Sequence, residues 1–179
     1  MNLYLIALIP HLKLREQIKS LKEEMKDQFN AKHALKSPAH ITLQMPFKRN
    51  TEDEHLLINT LQYFASKQHA FSINLDGFGC FAPRVIFVKV TNHKPIVTLH
   101  CQLKKVLMRN LKFKENEIIQ EVHPHISIAT RDLTLNSFKE AWAEFENHKF
   151  TVSFLAKSVF LLKHNGKYWD IYKEFLFQK

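Results

Sequence analysis

Glycine is almost missing from this chain, with three residues in 179, beside six prolines and two cysteines. That scarcity excludes collagen-like, linker-rich and low-complexity architectures. Extended disorder is unexpected where 45% of the residues are hydrophobic and 15 are Phe. Two thiols, Cys80 and Cys101, cannot build a disulfide framework. Neither lies in a CxxC pair or beside a histidine, so both are expected as buried structural cysteines in a reducing compartment. No apolar run approaches the about 20 residues that a membrane-spanning helix needs. Residues 1–10 have an apolar centre but no basic leader and no small-residue cleavage site, and Pro10 closes them, so a soluble, cytoplasmic protein is expected. Acidic residues are scarce too: 17 Asp and Glu against 26 Lys and Arg leave a formal net charge of +9. Such a balance favours polyanionic partners such as RNA or nucleotides, although lysines on helical segments also make an ordinary solvated face. The length fits one domain over residues 1–179, built from two small lobes sharing a core.

What is present is a four-residue pattern written twice. His40-Ile41-Thr42-Leu43 and His125-Ile126-Ser127-Ile128 each read histidine, apolar, hydroxyl, apolar, with one copy in each half of the chain. Alternation of this kind marks a β-strand, on which residues i and i+2 share a face about 7 Å apart. Each strand therefore offers an imidazole and a hydroxyl side by side. A single copy among 11 histidines would be an ordinary strand histidine. Two copies in matching apolar contexts point to two imidazoles and two hydroxyls around one small site.

The surrounding pattern supports two similar halves, roughly residues 1–90 and 85–179. Residues 3–9 read as a buried strand and residues 11–30 as an amphipathic helix, with Leu12, Ile18, Leu21 and Met25 on its apolar side. The first His strand runs to Phe47; Thr51 and Glu54 then form a capping-box pattern that opens a helix to about residue 68. Strands follow at 71–75 and 85–90, joined by a connector, 76–84, that holds Gly77 and Gly79. The second half continues with a helix over 95–111, a polar loop at 114–116, the His strand at 123–129 and a helix over 135–148. Strands at 150–154 and 157–162 come next, and Asn165-Gly166 signals a hairpin into 168–172. No linker separates the halves.

The two motifs, with Pro46-Phe47 after the first and His123-Pro124 before the second, resemble the signatures of the two-histidine phosphoesterase superfamily, and within it the 2′-5′ RNA ligase family. The stretch Gly79-Cys80-Phe81-Ala82-Pro83-Arg84-Val85 also resembles the segment between the motifs in that family. The resemblance covers nearly the whole chain. It implies an α+β, bilobal, pseudo-two-fold symmetric fold, with two antiparallel sheets flanking a central cleft and helices outside. It also implies metal-independent chemistry on 2′,3′-cyclic phosphates of RNA ends or small nucleotides, with 2′-5′ ligation as the reverse. Two positions depart from the pattern. Ser127 stands where Thr is commoner, and Thr130 stands where an arginine often follows, with Arg131 one residue later. On a regular strand Arg131 would share the face of His125 and Ser127.

Imidazole, with a pKa of about 6.5, can take or give a proton near neutral pH. His40 and His125 are therefore the candidate acid/base pair, with His125 assigned as base and His40 as acid. Thr42 and Ser127 are the candidate phosphate donors. Arg84 and Arg131 are candidate phosphate-steering residues, and Phe47, Phe81, Tyr168 and Trp169 candidate stacking residues. His123 shares the strand face of His125 and reads as an edge residue at the cleft mouth. His123 and His125 could share a metal with Glu121, but a zinc site wants further ligands at closed spacing and no HExxH or Cys cluster supplies them. No metal or cofactor is expected. The expected partners are RNA ends or small cyclic nucleotides, without a membrane, bound by a monomer. The alternative is an RNA- or nucleotide-binding protein of the same fold with little or no catalysis.

Overall fold

The opening apolar run becomes β1 (Asn2–Leu8), buried on both faces from Tyr4 onward. In the computed structural model, which describes residues 1–178, the strands that follow are β2 (Ile41–Arg49), β3 (Phe71–Phe81), β4 (Val85–Val90), β5 (His125–Ala129), β6 (Thr151–Ala156), β7 (Ser158–His164) and β8 (Trp169–Leu176). They form two four-stranded sheets, one ordered β2-β1-β7-β8 and the other β5-β4-β3-β6. All pairings within them are antiparallel. The helices are α1 (Leu12–Phe29), α2 (Glu54–Ala65), α3 (Lys94–Leu111) and α4 (Leu135–Phe145). Helices α1 and α4 pack on the second sheet, α2 packs on β7 and β8 of the first, and α3 packs on α2. The expected α+β class and paired antiparallel sheets are what the chain adopts.

The sheets themselves are not drawn from contiguous halves of the chain. The first sheet joins the two ends of the chain, because the Asn165-Gly166 hairpin folds β8 onto β7 and β7 pairs with β1. The second sheet takes the middle. What repeats is the step β1-α1-β2 and β4-α3-β5, which puts each His strand at a sheet edge beside the strand preceding it.

Four local expectations change for identifiable reasons. The buried stripe of α1 is Leu14, Ile18, Lys22, Met25 and Phe29, with Leu21 packed against the core, so of the expected apolar side only Leu12 is exposed. His11 caps this helix by accepting from the Leu14 amide, and Asn30 ends it in the left-handed region at φ 57. Thr51 does not cap α2, which starts after Asp53 without a side-chain cap. Its supposed partner Glu54 is engaged elsewhere, accepting from Lys163 Nζ at 2.8 Å, from Tyr172 Oη at 2.5 Å and from the Tyr4 hydroxyl. The connector at 76–84 is mostly strand, because β3 runs on to Phe81 past a register shift at Gly77, φ +62. Finally, Cys101 is exposed and Cys80 half-buried, so the two thiols are free but not both core residues.

Candidate active site

Parity along the strands sorts the site from the core. On β5, Ile126 and Ile128 are buried while His125 and Ser127 are half-buried on the other face. At the start of β2, Ile41 and Leu43 are fully buried and His40 and Thr42 turn the opposite way. Both pairs line one cleft of about 410 Å³.

The two imidazoles are held by the same device. His40 Nδ1 lies 2.8 Å from the Pro38 carbonyl and His125 Nδ1 lies 2.5 Å from the His123 carbonyl. A carbonyl only accepts, so Nδ1 must carry the proton in each ring. That leaves Nε2 as the basic nitrogen in both. The carbonyl two residues upstream therefore chooses the tautomer twice.

Their surroundings differ. Burial pushes His40 down to about 4, with further lowering from the charges of Lys22 and His125, against the bond to Pro38. Burial also lowers His125, with His123 adding to the effect. Lys22 stands behind His40 on the buried stripe of α1 and donates to the Ala34 and Ser37 carbonyls at 3.0 and 2.9 Å. It is itself pushed down to about 8 by burial. Behind His125 lie two rings instead: Phe81 edge-on at 5.1 Å and Phe87 at 4.9 Å between ring centroids. Gly79 makes room for the second, because a Cβ there would stand 2.6 Å from the Phe87 ring.

Two polar clasps hold the sheets' approach loops across the cleft. Asp132, after β5, accepts from the amides of Lys32 and His33 at 3.0 and 2.8 Å, ahead of β2. Gln44, within β2, donates to the Glu117 carbonyl at 2.8 Å and accepts from the Ile119 amide at 3.4 Å, ahead of β5. Each side chain lies shortly after one motif and fixes the loop that leads into the other.

Of the other candidates, Phe81, Trp169, Arg131, His123 and Glu121 line the cleft together with the motifs. Arg131 does so from a different backbone than expected. The strand ends at Ala129, and Arg131 occupies a tight turn at φ 64, closed by the Asp132 amide on the Thr130 carbonyl at 2.8 Å. Phe47 is not on the cleft wall; it is buried between Tyr4 and Phe113. Its odd spacing from His40 puts it on the opposite strand face, and two one-residue register shifts in β2 preserve that parity. Arg84 is exposed at the β3–β4 turn outside the cleft lining, and Tyr168 borders a neighbouring groove. Sequence reasoning passed over His33, Lys36 and Ser37, which line the cleft from the short helical turn His33–Lys36 and the residue after it. Their signal was position alone, in the loop immediately ahead of His40. Among the described residues, no three His, Cys, Asp or Glu side chains are grouped so as to hold a metal ion. No helix among them is long and apolar enough to cross a membrane.

Comparison with known proteins agrees with this architecture. Residues 10–167 match the family described as the 2′-5′ RNA ligase superfamily. A relative named “Putative phosphoesterase” from Bacillus thuringiensis (strain Al Hakam) is 31% identical over 87 residues, which is 48% of this chain and 48% of the relative. The chain spans about half the length of the curated relatives it matches. Among solved structures, TT0787 of Thermus thermophilus superposes with a TM-score of 0.73 at 18% identity, over 99% of this chain and 98% of that one. E. coli LigT complexed with 3′-AMP gives a TM-score of 0.69 at 18% identity, over 99% of each chain. At that identity the two solved structures speak for the fold, while the match over residues 10–167 decides the family: the chain belongs to the 2′-5′ RNA ligase superfamily.

Proposed function

We propose that the cleft hydrolyses 2′,3′-cyclic phosphodiesters on RNA ends or small nucleotides, with 2′-5′ ligation as the reverse reaction. The observation that carries this reading is the pair of imidazoles in one cleft, each with its Nδ1 proton committed to a carbonyl and its Nε2 basic. In the forward direction, water attacks phosphorus as His125 takes its proton. The bond from phosphorus to one ribose oxygen breaks, and His40 delivers a proton to that oxygen. Thr42 and Ser127 donate to the non-bridging oxygens, where charge grows in the transition state. Arg131 and Lys36 add positive charge at the rim, and Phe81 offers an exposed ring for a base.

The acid role requires His40 to be charged in the complex, against the lowering that burial and Lys22 impose. A bound phosphate supplies the opposite charge that restores its proton.

The test is incubation with a panel of 2′,3′-cyclic nucleotides and cyclic-ended RNAs, with and without EDTA, followed by identification of the products. Ring-opened monoesters formed equally in both conditions are expected. Turnover that is lost in EDTA and restored by zinc or manganese overturns the two-histidine mechanism. Tight binding without any product favours a binding protein on the same fold.

A further inference from the structure

Beside the cleft lies a second groove, of about 230 Å³, that the proposed chemistry does not use. The two hollows share Lys36, Ser37 and Trp169 on their walls, so Trp169 forms part of the partition between them. On its far side the groove is bounded by Arg15, Glu16 and Lys19 of α1, with Tyr168 at its edge.

Its charge is available. Arg15 Nε is buried and has no hydrogen-bond partner among the described residues. Among the described residues Lys19 forms an ion pair with Glu23 alone, at 3.8 Å, and both side chains are about half exposed and therefore weakly tied. Lys22, also on the wall but buried, donates to two carbonyls and contributes charge. Glu16 is the carboxylate on this wall, against Arg15, Lys19 and Lys36.

Its aromatic edge is built in advance. Asn165 Oδ1 accepts from the amides of Lys167 and Tyr168 at 3.0 and 2.8 Å, and the Asn165 amide donates to the Tyr168 carbonyl at 2.9 Å. That turn holds Tyr168 out at 43% exposure, while Trp169 packs half-buried against His164. Positive charge along a groove with aromatic faces at its edge is the arrangement that binds single-stranded nucleic acid.

We infer that this groove is a second nucleotide subsite, in which Arg15 and Lys19 take the phosphate, and Tyr168 the base, of the residue adjoining the RNA end held in the cleft. The inference rests on the reading of the cleft as the site of the terminal phosphate. A strand leaving the cleft past Trp169 enters a surface that already carries charge for its next phosphate and a ring for its next base.

The test is calorimetric titration of uridine 3′-monophosphate and of a uridine trinucleotide bearing a 3′-phosphate, against the whole protein and three variants. The trinucleotide is expected to bind about fivefold or more tightly than the monomer, as one added stacked base implies. Arg15→Ala and Lys19→Ala should each weaken the trinucleotide severalfold and leave the monomer unchanged. Each should also flatten the trinucleotide's log–log salt slope by about 0.7, the share of one phosphate on a single strand. Tyr168→Ala, on a different element, should weaken the trinucleotide without altering that slope, which guards against a misfolded α1 variant. Equal affinity of the wild type for the two ligands, no binding of the trinucleotide, or variants that weaken both ligands alike overturns the subsite. Turnover of 2′,3′-cyclic uridine monophosphate, measured separately, decides the hydrolytic reading. A protein that hydrolyses nothing but binds in this pattern loses the activity and keeps the groove.

Discussion

His40 and His125 each commit Nδ1 to the carbonyl two residues upstream, yet one stands against a buried ammonium and the other against two phenyl rings. The shared part is local. A strand start that places i and i+2 on one face, with a carbonyl two residues back within reach of the ring, will build the same tautomer wherever it occurs. The differing part is tertiary. Lys22 acts on His40 from α1, while Phe87 meets His125 from the neighbouring strand β4, its ring lying where a side chain at Gly79 of β3 would stand. Two identical imidazoles would compete for the same protonation state. Burial lowers both rings, but the charge of Lys22 acts on His40 and is not among the causes acting on His125, so the surroundings distinguish two imidazoles that the strands make alike.

The largest test of that comparison removes each ring in turn. His40→Ala and His125→Ala should each lower kcat on a 2′,3′-cyclic substrate by about 10²-fold or more, the usual worth of a general acid or base. Circular dichroism should remain unchanged in both. Near-normal turnover in one variant would mean that the symmetry of the strands is not a symmetry of function.

A sharper test touches only one half. Lys22→Met removes two hydrogen bonds to the loop ahead of β2, at a cost of about 1–3 kcal/mol in stability. It also removes a charge that lowers His40 and is not among the causes lowering His125. In proton NMR titrations, His40 should therefore move up in the variant while His125 stays. Added phosphate should raise His40 in the wild type. Equal movement of both rings would refute the separate surroundings. A His40 that stays neutral in the phosphate complex would exchange the acid and base roles.

The smallest expected effect lies outside the cleft and concerns the first sheet alone. Glu54 is held down to about 2, first by its bond from Lys163, then by those from Tyr172 and Tyr4. A carboxylate lowered by folding stabilises above its unfolded pKa, near 4.5, and that stabilisation is lost as pH falls toward about 2. Urea unfolding of Glu54→Gln should show a deficit of about 2 kcal/mol, smaller than the full shift implies because the carboxylate is partly solvated. The deficit should be constant from pH 7 to 4.5 and shrink below. Hydrogen exchange should quicken in β7 and β8 before β4 and β5. A deficit that grows in acid would remove Glu54 as the lock between α2 and this sheet.

Local pattern alone was enough for the motif strands, the α+β class, the hairpin at Asn165-Gly166 and the parity that separates His40 and Thr42 from Ile41 and Leu43. Each of these follows from side-chain alternation or turn chemistry within a few residues, which the chain carries wherever it goes. The burial of Phe47 agrees with its odd spacing from His40 only because two register shifts in β2 cancel, which no local pattern announces. Other features had no local sign. Glu54 looked like a cap because capping is read three residues at a time, whereas its partners Lys163 and Tyr172 come from the far end of the chain. Lys22 fits the spacing of a buried stripe, but nothing nearby says that the Ala34 and Ser37 carbonyls will satisfy it. The membership of the sheets, the clasps by Gln44 and Asp132 and the groove between α1 and the last hairpin depend on which edges meet. That choice belongs to packing over separations of tens to more than a hundred residues, so only the folded chain could make it.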